Sequence, residues 1–124
     1  MAKVVLLGFR DDNGEVPFAD WLESIPEKAQ DKCKARLERL KEMGNELRRP
    51  EADYLRDGIY ELRFKYLRVN YRVLYFFHGR SAVVVSHGLQ KEKAIPPKEI
   101  DLAVERKNLF DANPAKHTAE EEVP

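Results

Sequence analysis

The stretch Ile59–Lys91, IYELRFKYLRVNYRVLYFFHGRSAVVVSHGLQK, restricts this chain to a fold built around a sheet. Tyr60, Leu62, Phe64 and Tyr66 alternate with Glu61, Arg63 and Lys65, a period of two that gives a strand one apolar and one charged face. Val69, Tyr71, Val73, Tyr75 and Phe77 then alternate with Asn70, Arg72, Leu74, Phe76 and His78. The second half of that run is apolar on both faces, as in a central strand. His78-Gly79-Arg80-Ser81 turns the chain into a third run, Ala82–His87. β-Branched and aromatic residues dominate throughout. With the short apolar run Lys3–Phe9 available to pair on this meander, the expectation is a mostly antiparallel sheet of about four strands.

Helical spacing surrounds the meander. Pro17 opens PFADWLESI, whose Phe18, Trp21, Leu22 and Ile25 form one apolar stripe. An aromatic in such a stripe reads as core, so Trp21 is a packing residue rather than a stacking platform. Ser24-Ile25-Pro26-Glu27 has the pattern of a capping box. It opens a second, antiparallel helix that places Ala29, Cys33, Leu37, Leu40 and Met43 on one face and stops at Gly44. Cys33 is read as a small core residue for the same reason. Residues 45–57 form a polar link ending at the turn Asp57-Gly58. Pro97 opens a closing helix with Ile100, Ala103, Val104 and Leu109 or Phe110 inward. From Asp111 the sequence DANPAKHTAEEEVP loses periodicity. The chain thus divides into an α+β domain, residues 1–110, and an acidic tail, residues 111–124, expected to be mobile.

Charge is distributed unevenly. The net charge is zero, yet residues 54–110 hold 11 Lys and Arg against 6 Asp and Glu. Cations placed along strands give the sheet a local patch suited to a polyanion. No apolar run is long enough to span a bilayer and no signal-peptide pattern opens the chain. The single cysteine cannot form an internal disulfide, and a cytoplasmic, membrane-free protein is expected.

Several chemistries lack their residues. His78, His87 and His117 have no metal-ligand spacing with Cys33, so no metal site is expected. No glycine-rich phosphate loop follows a strand, and no Ser/His/Asp set is evident; no cofactor is expected. What remains is Arg63, Lys65, Arg68, Arg72, His87, Lys91 and Lys93, with tyrosines interleaved. Arg63 and Lys65 share a strand face, and Arg72 lies beside them if the hairpin register allows. Such a cluster suits binding of a phosphate backbone and stabilisation of charge on a phosphodiester under attack. His87, or a lysine of lowered pKa, would serve as acid or base. Tyr75 would stack on a base or order the network. Against these stand bland alternatives: a strand-end His87 satisfied by backbone, and Arg72 paired with Glu61 or a helix carboxylate.

The strings DGIYELRF (Asp57–Phe64), YRVLYFF (Tyr71–Phe77) and HGLQKEKAIPPKEIDLAVERKNLF (His87–Phe110), with PFADWL (Pro17–Leu22) upstream, resemble the RelE/ParE toxin superfamily, in its HigB-like, phage-derived branch. The resemblance spans about residues 3–110. It implies a RelE-like fold and a type II toxin that cleaves mRNA on the ribosome, an mRNA interferase neutralised by a HigA-like helix-turn-helix antitoxin. By position it carries over Arg63, Lys65, Arg72, His87, Lys91 and Lys93; together with the residue reading, Arg63, Arg72, His87 and Lys91 are expected in catalysis and Lys65, Arg68, Tyr75 and Lys93 in RNA binding. The paired lysines of the branch are split here by Glu92, and Leu89 replaces the usual aromatic. Other readings are a ParE-like, non-catalytic inhibitor of DNA gyrase and an inactive phage-derived binding module.

Overall fold

The computed structural model describes residues 3–120 and Val123. In chain order it contains β1 (Val5–Gly8), α1 (Pro17–Ser24), α2 (Glu27–Met43), a short 3-10 turn (Gly44–Glu46), β2 (Ala52–Arg56), β3 (Ile59–Tyr66), β4 (Val69–His78), β5 (Ala82–Gln90), α3 (Pro97–Ala112) and α4 (Pro114–His117). The strands form one open sheet in the order β1-β5-β4-β3-β2. β1 lies parallel to β5, and β2 to β5 form an antiparallel meander. The α+β class matches that expected, and β1, the two helices, the β3–β5 meander and the closing helix α3 follow one another in the expected sequence. Among the described residues no helix is long and apolar enough to cross a membrane.

The alternation in β3 and β4 produces two unlike faces. One face holds Leu62, Phe64, Tyr71, Val73, Tyr75, Val83 and Val85, packed under α1 and α2 through Phe18, Leu22, Cys33, Leu37 and Leu40. Burial of that much apolar surface, at about 25 cal/mol per Å², is the main stabilising contribution. The Cys33 thiol has no accessible surface, and desolvation pushes its pKa up to about 12, which leaves it an inert core group. The opposite face holds Ile59, Leu74, Phe76 and Val84 against Ile100, Ala103 and Phe110 of α3. Helix α3 covers only part of this face. The part carrying Glu61, Arg63, Lys65, Asn70 and Arg72 has no helix above it.

Three expectations require correction. The sheet has five strands, because Ala52–Arg56, expected within the polar link, pairs with β3 as its edge strand. Charged Asp53 and Arg56 hide the pattern in so short a segment. Ser24 does not cap α2: its Oγ donates to the Trp21 carbonyl at 2.6 Å, and Pro26 occupies the N-cap position with no side-chain hydrogen bond. Residues from Asp111 onward do not leave the domain. Helix α3 runs to Ala112, α4 follows, and the chain then returns along the outer edge of β1. There Thr118 bridges Phe9, while the Ala119 and Val123 amides donate to the Gly8 and Leu6 carbonyls at 2.9 and 3.1 Å. This segment covers an edge that would otherwise offer unpaired backbone groups. Strand β5 separates this edge from β4 and β3, which carry the arginines. Glu121 and Glu122 of the expected acidic tail lie outside the described residues.

His117 fastens the segment. Its ring stacks on Phe9 at 5.2 Å, and Nδ1 donates to the Arg10 carbonyl at 2.8 Å, with the side chain almost wholly buried. His117→Ala is expected to destabilise the protein by about 2 kcal/mol, from the lost stacking and an orphaned carbonyl. Urea denaturation would show a lower midpoint with an unchanged slope.

The hairpin between β3 and β4 has an unusual turn. Leu67 and Arg68, its two central residues, both have positive φ, 47° and 69°. Asn-Gly is the usual solution for such a two-residue connection. The left-handed conformation costs roughly 1–2 kcal/mol per residue for side chains like these.

Candidate functional site

Arg63 on β3 and Arg72 on β4 are direct cross-strand partners. Like charges directly opposite one another destabilise a sheet unless a counter-charge intervenes. Glu61, the next residue of β3 on the same face, supplies it. Its Oε2 accepts from Arg63 Nε and Nη2 at 3.1 and 2.7 Å, and its Oε1 accepts from Arg72 Nη1. The Glu61 side chain is only 3% exposed, so both bonds are shielded from water. Asp53 stands opposite Glu61 on β2, 3.6 Å from Arg63 Nη2 and 2.7 Å from Arg49 Nη2. Hydrogen bonding from Arg49 holds the Asp53 carboxyl below its usual range, against the opposing effect of desolvation. The row Arg49, Asp53, Arg63, Glu61, Arg72 thus alternates in sign and keeps a positive excess. From α2, Arg36 donates to the Arg63 carbonyl at 2.6 Å and fixes the strand beneath the row.

The row leaves donors unused. Among the described residues Arg72 donates only from Nη1. No buried side-chain nitrogen or oxygen among them lacks a partner. Its Nε and Nη2 therefore reach solvent, although the side chain as a whole is 11% exposed. They open into two clefts that meet at the arginine pair. One, of about 350 Å³, is lined by Arg49, Asp53, Glu61, Lys93 and Ile100 besides Arg63 and Arg72. The other, of about 380 Å³, adds Arg36, Lys65, Asn70 and Glu92. A third cleft, of about 450 Å³, shares Asn70, Glu92 and Lys93 with these and adds Arg68 and Lys91. Among the described residues no carboxylate lies within ion-pair distance of Lys65, Arg68, Lys91 or Lys93. A guanidinium held rigid by a buried carboxylate, with free donors facing a groove of unpaired cations, can bind a phosphate and stabilise extra charge on it. Among the described residues no group of three His, Cys, Asp or Glu is placed to hold a metal ion.

Six of the eight expected site residues meet along this groove: Arg63, Lys65, Arg68, Arg72, Lys91 and Lys93. Two do not. Tyr75 is 1% exposed, stacked on Tyr60 at 5.4 Å on the face beneath α1 and α2. Desolvation pushes its phenol pKa up. It cannot stack on a base. His87 does share the arginine face, but it is 8% exposed and bonded throughout. Nε2 donates to Glu99 at 2.9 Å. Nδ1 receives the Ser86 hydroxyl at 2.8 Å and Arg106 Nη1 at 3.3 Å. The neutral Nε2–H tautomer suits these partners, with Glu99 accepting from Nε2 and Nδ1 facing the Arg106 and Ser86 donors. Desolvation, supported by the Arg106 charge, lowers the His87 pKa against the contrary pull of Glu99. This network fastens β5 to α3 and exposes no proton-transfer atom to the groove.

A β-bulge causes that placement. Leu74 pairs with His87 and Tyr75 with Val85, so Ser86 is the extra residue. Uninterrupted alternation from Val83 and Val85 would have sent His87 to the α1–α2 face. The bulge turns it towards α3. The Arg72–Glu61 pair was among the alternatives read from the sequence and is present; that Glu61 also holds Arg63, and that Arg106 holds His87, were not foreseen. Glu61 was legible as a same-face neighbour of Arg63; Arg106, on a helix distant in sequence, was not.

Because the folded state disfavours protonated His87, stability is complete above the unfolded imidazole pKa of about 6.5 and declines as pH falls below it. His87→Gln is expected to flatten this part of the profile, which melting temperatures between pH 5 and 8 check.

A model for the family described as phage derived protein Gp49-like (DUF891) matches residues 20–108, well over half of the chain and all of the groove. No curated protein sequence matches the chain.

Proposed function

Since the chain belongs to the Gp49-like family of phage-derived proteins, a family associated with RelE-type toxins, we propose that it is the toxin of a type II toxin–antitoxin pair that cuts mRNA on the ribosome. One observation carries this reading above all. Arg63 and Arg72 stand side by side on one open sheet face, preset by Glu61, with the free donors of Arg72 facing a cation-lined groove.

In this reading the scissile phosphodiester lies across the arginine pair. The ribose 2′-oxygen gives up its proton to solvent water and attacks phosphorus in line, forming a 2′,3′-cyclic phosphate, while the 5′-oxygen departs with a proton from Lys93. The guanidinium of Arg72 stabilises the negative charge that accumulates on the non-bridging oxygens. Arg63 orders Arg72 through their shared carboxylate and adds its own charge. Lys93, which shares a cleft with both arginines, is the groove group able to meet the leaving oxygen, and Lys65, Arg68 and Lys91 hold the flanking backbone. His87 takes no part. Ordering of the strand by the ribosome supplies the in-line geometry. A helix-turn-helix antitoxin is the proposed partner that neutralises the chain by covering the groove.

The test adds purified chain to a defined translation system and maps mRNA ends by primer extension. The expected result is new ends with ribosomes present and none on free mRNA. Intact mRNA together with blocked DNA supercoiling by gyrase would replace this reading with gyrase inhibition. Intact mRNA and normal supercoiling would leave a binding module.

A further inference from the structure

Beyond the arginine pair, the tip of the β3–β4 hairpin has the features of a second contact. Leu67 is 75% exposed, the most exposed large apolar side chain among the described residues. It and Arg68 both adopt positive φ, a conformation that Asn-Gly would take without strain. Strained positions held at a surface point to function more often than to packing, and Leu67 packs on nothing that would need it there. The surroundings select the kind of partner. Arg68, Lys91 and Lys93 line the 450 Å³ cleft immediately behind the tip, with Asn70 and Gln90 as neutral donors and acceptors. Lys65 lies on the same face one step nearer the arginines. Only Glu92 opposes this charge within the cleft. From the Arg63–Arg72 pair to the Tyr66–Val69 pair is three residues, roughly 10 Å along the strand at about 3.3 Å each.

We propose that the Leu67–Arg68 tip and the cleft behind it form a second subsite for single-stranded RNA, where the strand flanking the arginine pair lays its phosphates on Arg68 and Lys91 and rests a base against Leu67. The inference deepens the proposed mRNA reading and rests on it for the identity of the strand. An apolar wedge beside cations is suited to a flanking base, because stacking and apolar contact tolerate any sequence while the backbone supplies affinity. The strained turn keeps Leu67 projecting where an ideal Asn-Gly turn would present no apolar side chain to a base.

The experiment measures binding of a short fluorophore-labelled single-stranded RNA to the full chain by anisotropy across a salt series, with melting temperature in parallel. The variants are Leu67→Asn and the double variant Leu67→Asn with Arg68→Gly. The expected double variant melts a few degrees higher and binds about tenfold more weakly. Its dependence on log salt should be shallower by about 0.7, the share of one lost phosphate contact. Leu67→Asn alone, with charge intact, should lose about threefold with the salt dependence unchanged. Wild-type affinity in the double variant, no RNA binding by the wild-type chain, or a double variant that melts no higher, each overturns the proposal. A wild-type chain that binds RNA in this way but leaves ribosomal mRNA intact overturns the proposed cleavage function alone and leaves the subsite standing.

Discussion

Arg72→Ala is expected to lower ribosome-dependent mRNA cleavage by roughly two to three orders of magnitude, the usual effect of removing one preset donor to a developing oxyanion. The variant also has a folding cost. Glu61 is almost fully buried and loses one of its two guanidinium partners, keeping the two bonds from Arg63. Breaking a buried pair by deleting one partner costs up to 3–5 kcal/mol, and with Arg63 still in place about 2–3 kcal/mol is expected. The two effects separate in the double variant Glu61→Gln with Arg72→Ala. Its stability should recover most of the loss, because no buried carboxylate is left short of a partner, while cleavage should stay as low as in Arg72→Ala. Arg72→Lys keeps the charge without the fork of donors and should fall between, near tenfold below wild type. Single-turnover cleavage and urea denaturation on the same preparations give both numbers. Recovery of cleavage in the double variant would show that Arg72 acts only as a structural partner of Glu61.

Gly88→Ala is expected to cost about 3 kcal/mol or more, at the upper end of overpacking effects. After the bulge at Ser86, Gly88 faces α1, and an alanine Cβ there would lie well inside 3.0 Å of three carbons of the Trp21 indole. The indole has little room to retreat. It packs edge-on against Phe64 and Tyr71, with centroids 6.4 and 6.1 Å away, and against Phe18 at 6.0 Å. Those rings join the helical layer to the sheet, so displacement of Trp21 disturbs the layer that backs the arginine strands. Trp21→Leu should restore part of the stability lost in Gly88→Ala, since the smaller side chain vacates the clash. Thermal melts of the two single variants and the pair form the cycle. A pair no more stable than Gly88→Ala would place the damage in the backbone rather than in the ring contact.

The meander was legible because one period of two, repeated through Tyr60–Phe64 and Tyr71–Phe77, sets which residues share a face. The two-residue connection at Leu67-Arg68 then sets the register that makes Arg63 and Arg72 partners. β2 escaped notice because an edge strand of five residues with charges at Asp53 and Arg56 lacks enough repeats to register against its polar surroundings. The C-terminal segment escaped because its ordering depends on docking rather than on periodicity. His117 needs Phe9, and the Val123 amide needs the Leu6 carbonyl; these partners lie more than a hundred residues away.

Alternation and strand adjacency therefore sufficed to gather the cations of β3 and β4, because side-chain direction in a regular strand is a local property. Which of the gathered residues remain free was decided by tertiary structure alone. One extra residue at Ser86 reversed the facing of His87 and Gly88, tying the histidine to Glu99 and Arg106 and setting the glycine against Trp21. The two layers buried Tyr75 beneath α1 and α2, and α3 stopped short of Arg72. Burial and the supply of partners depend on what packs above a strand, and that information is spread over helices far away in the sequence.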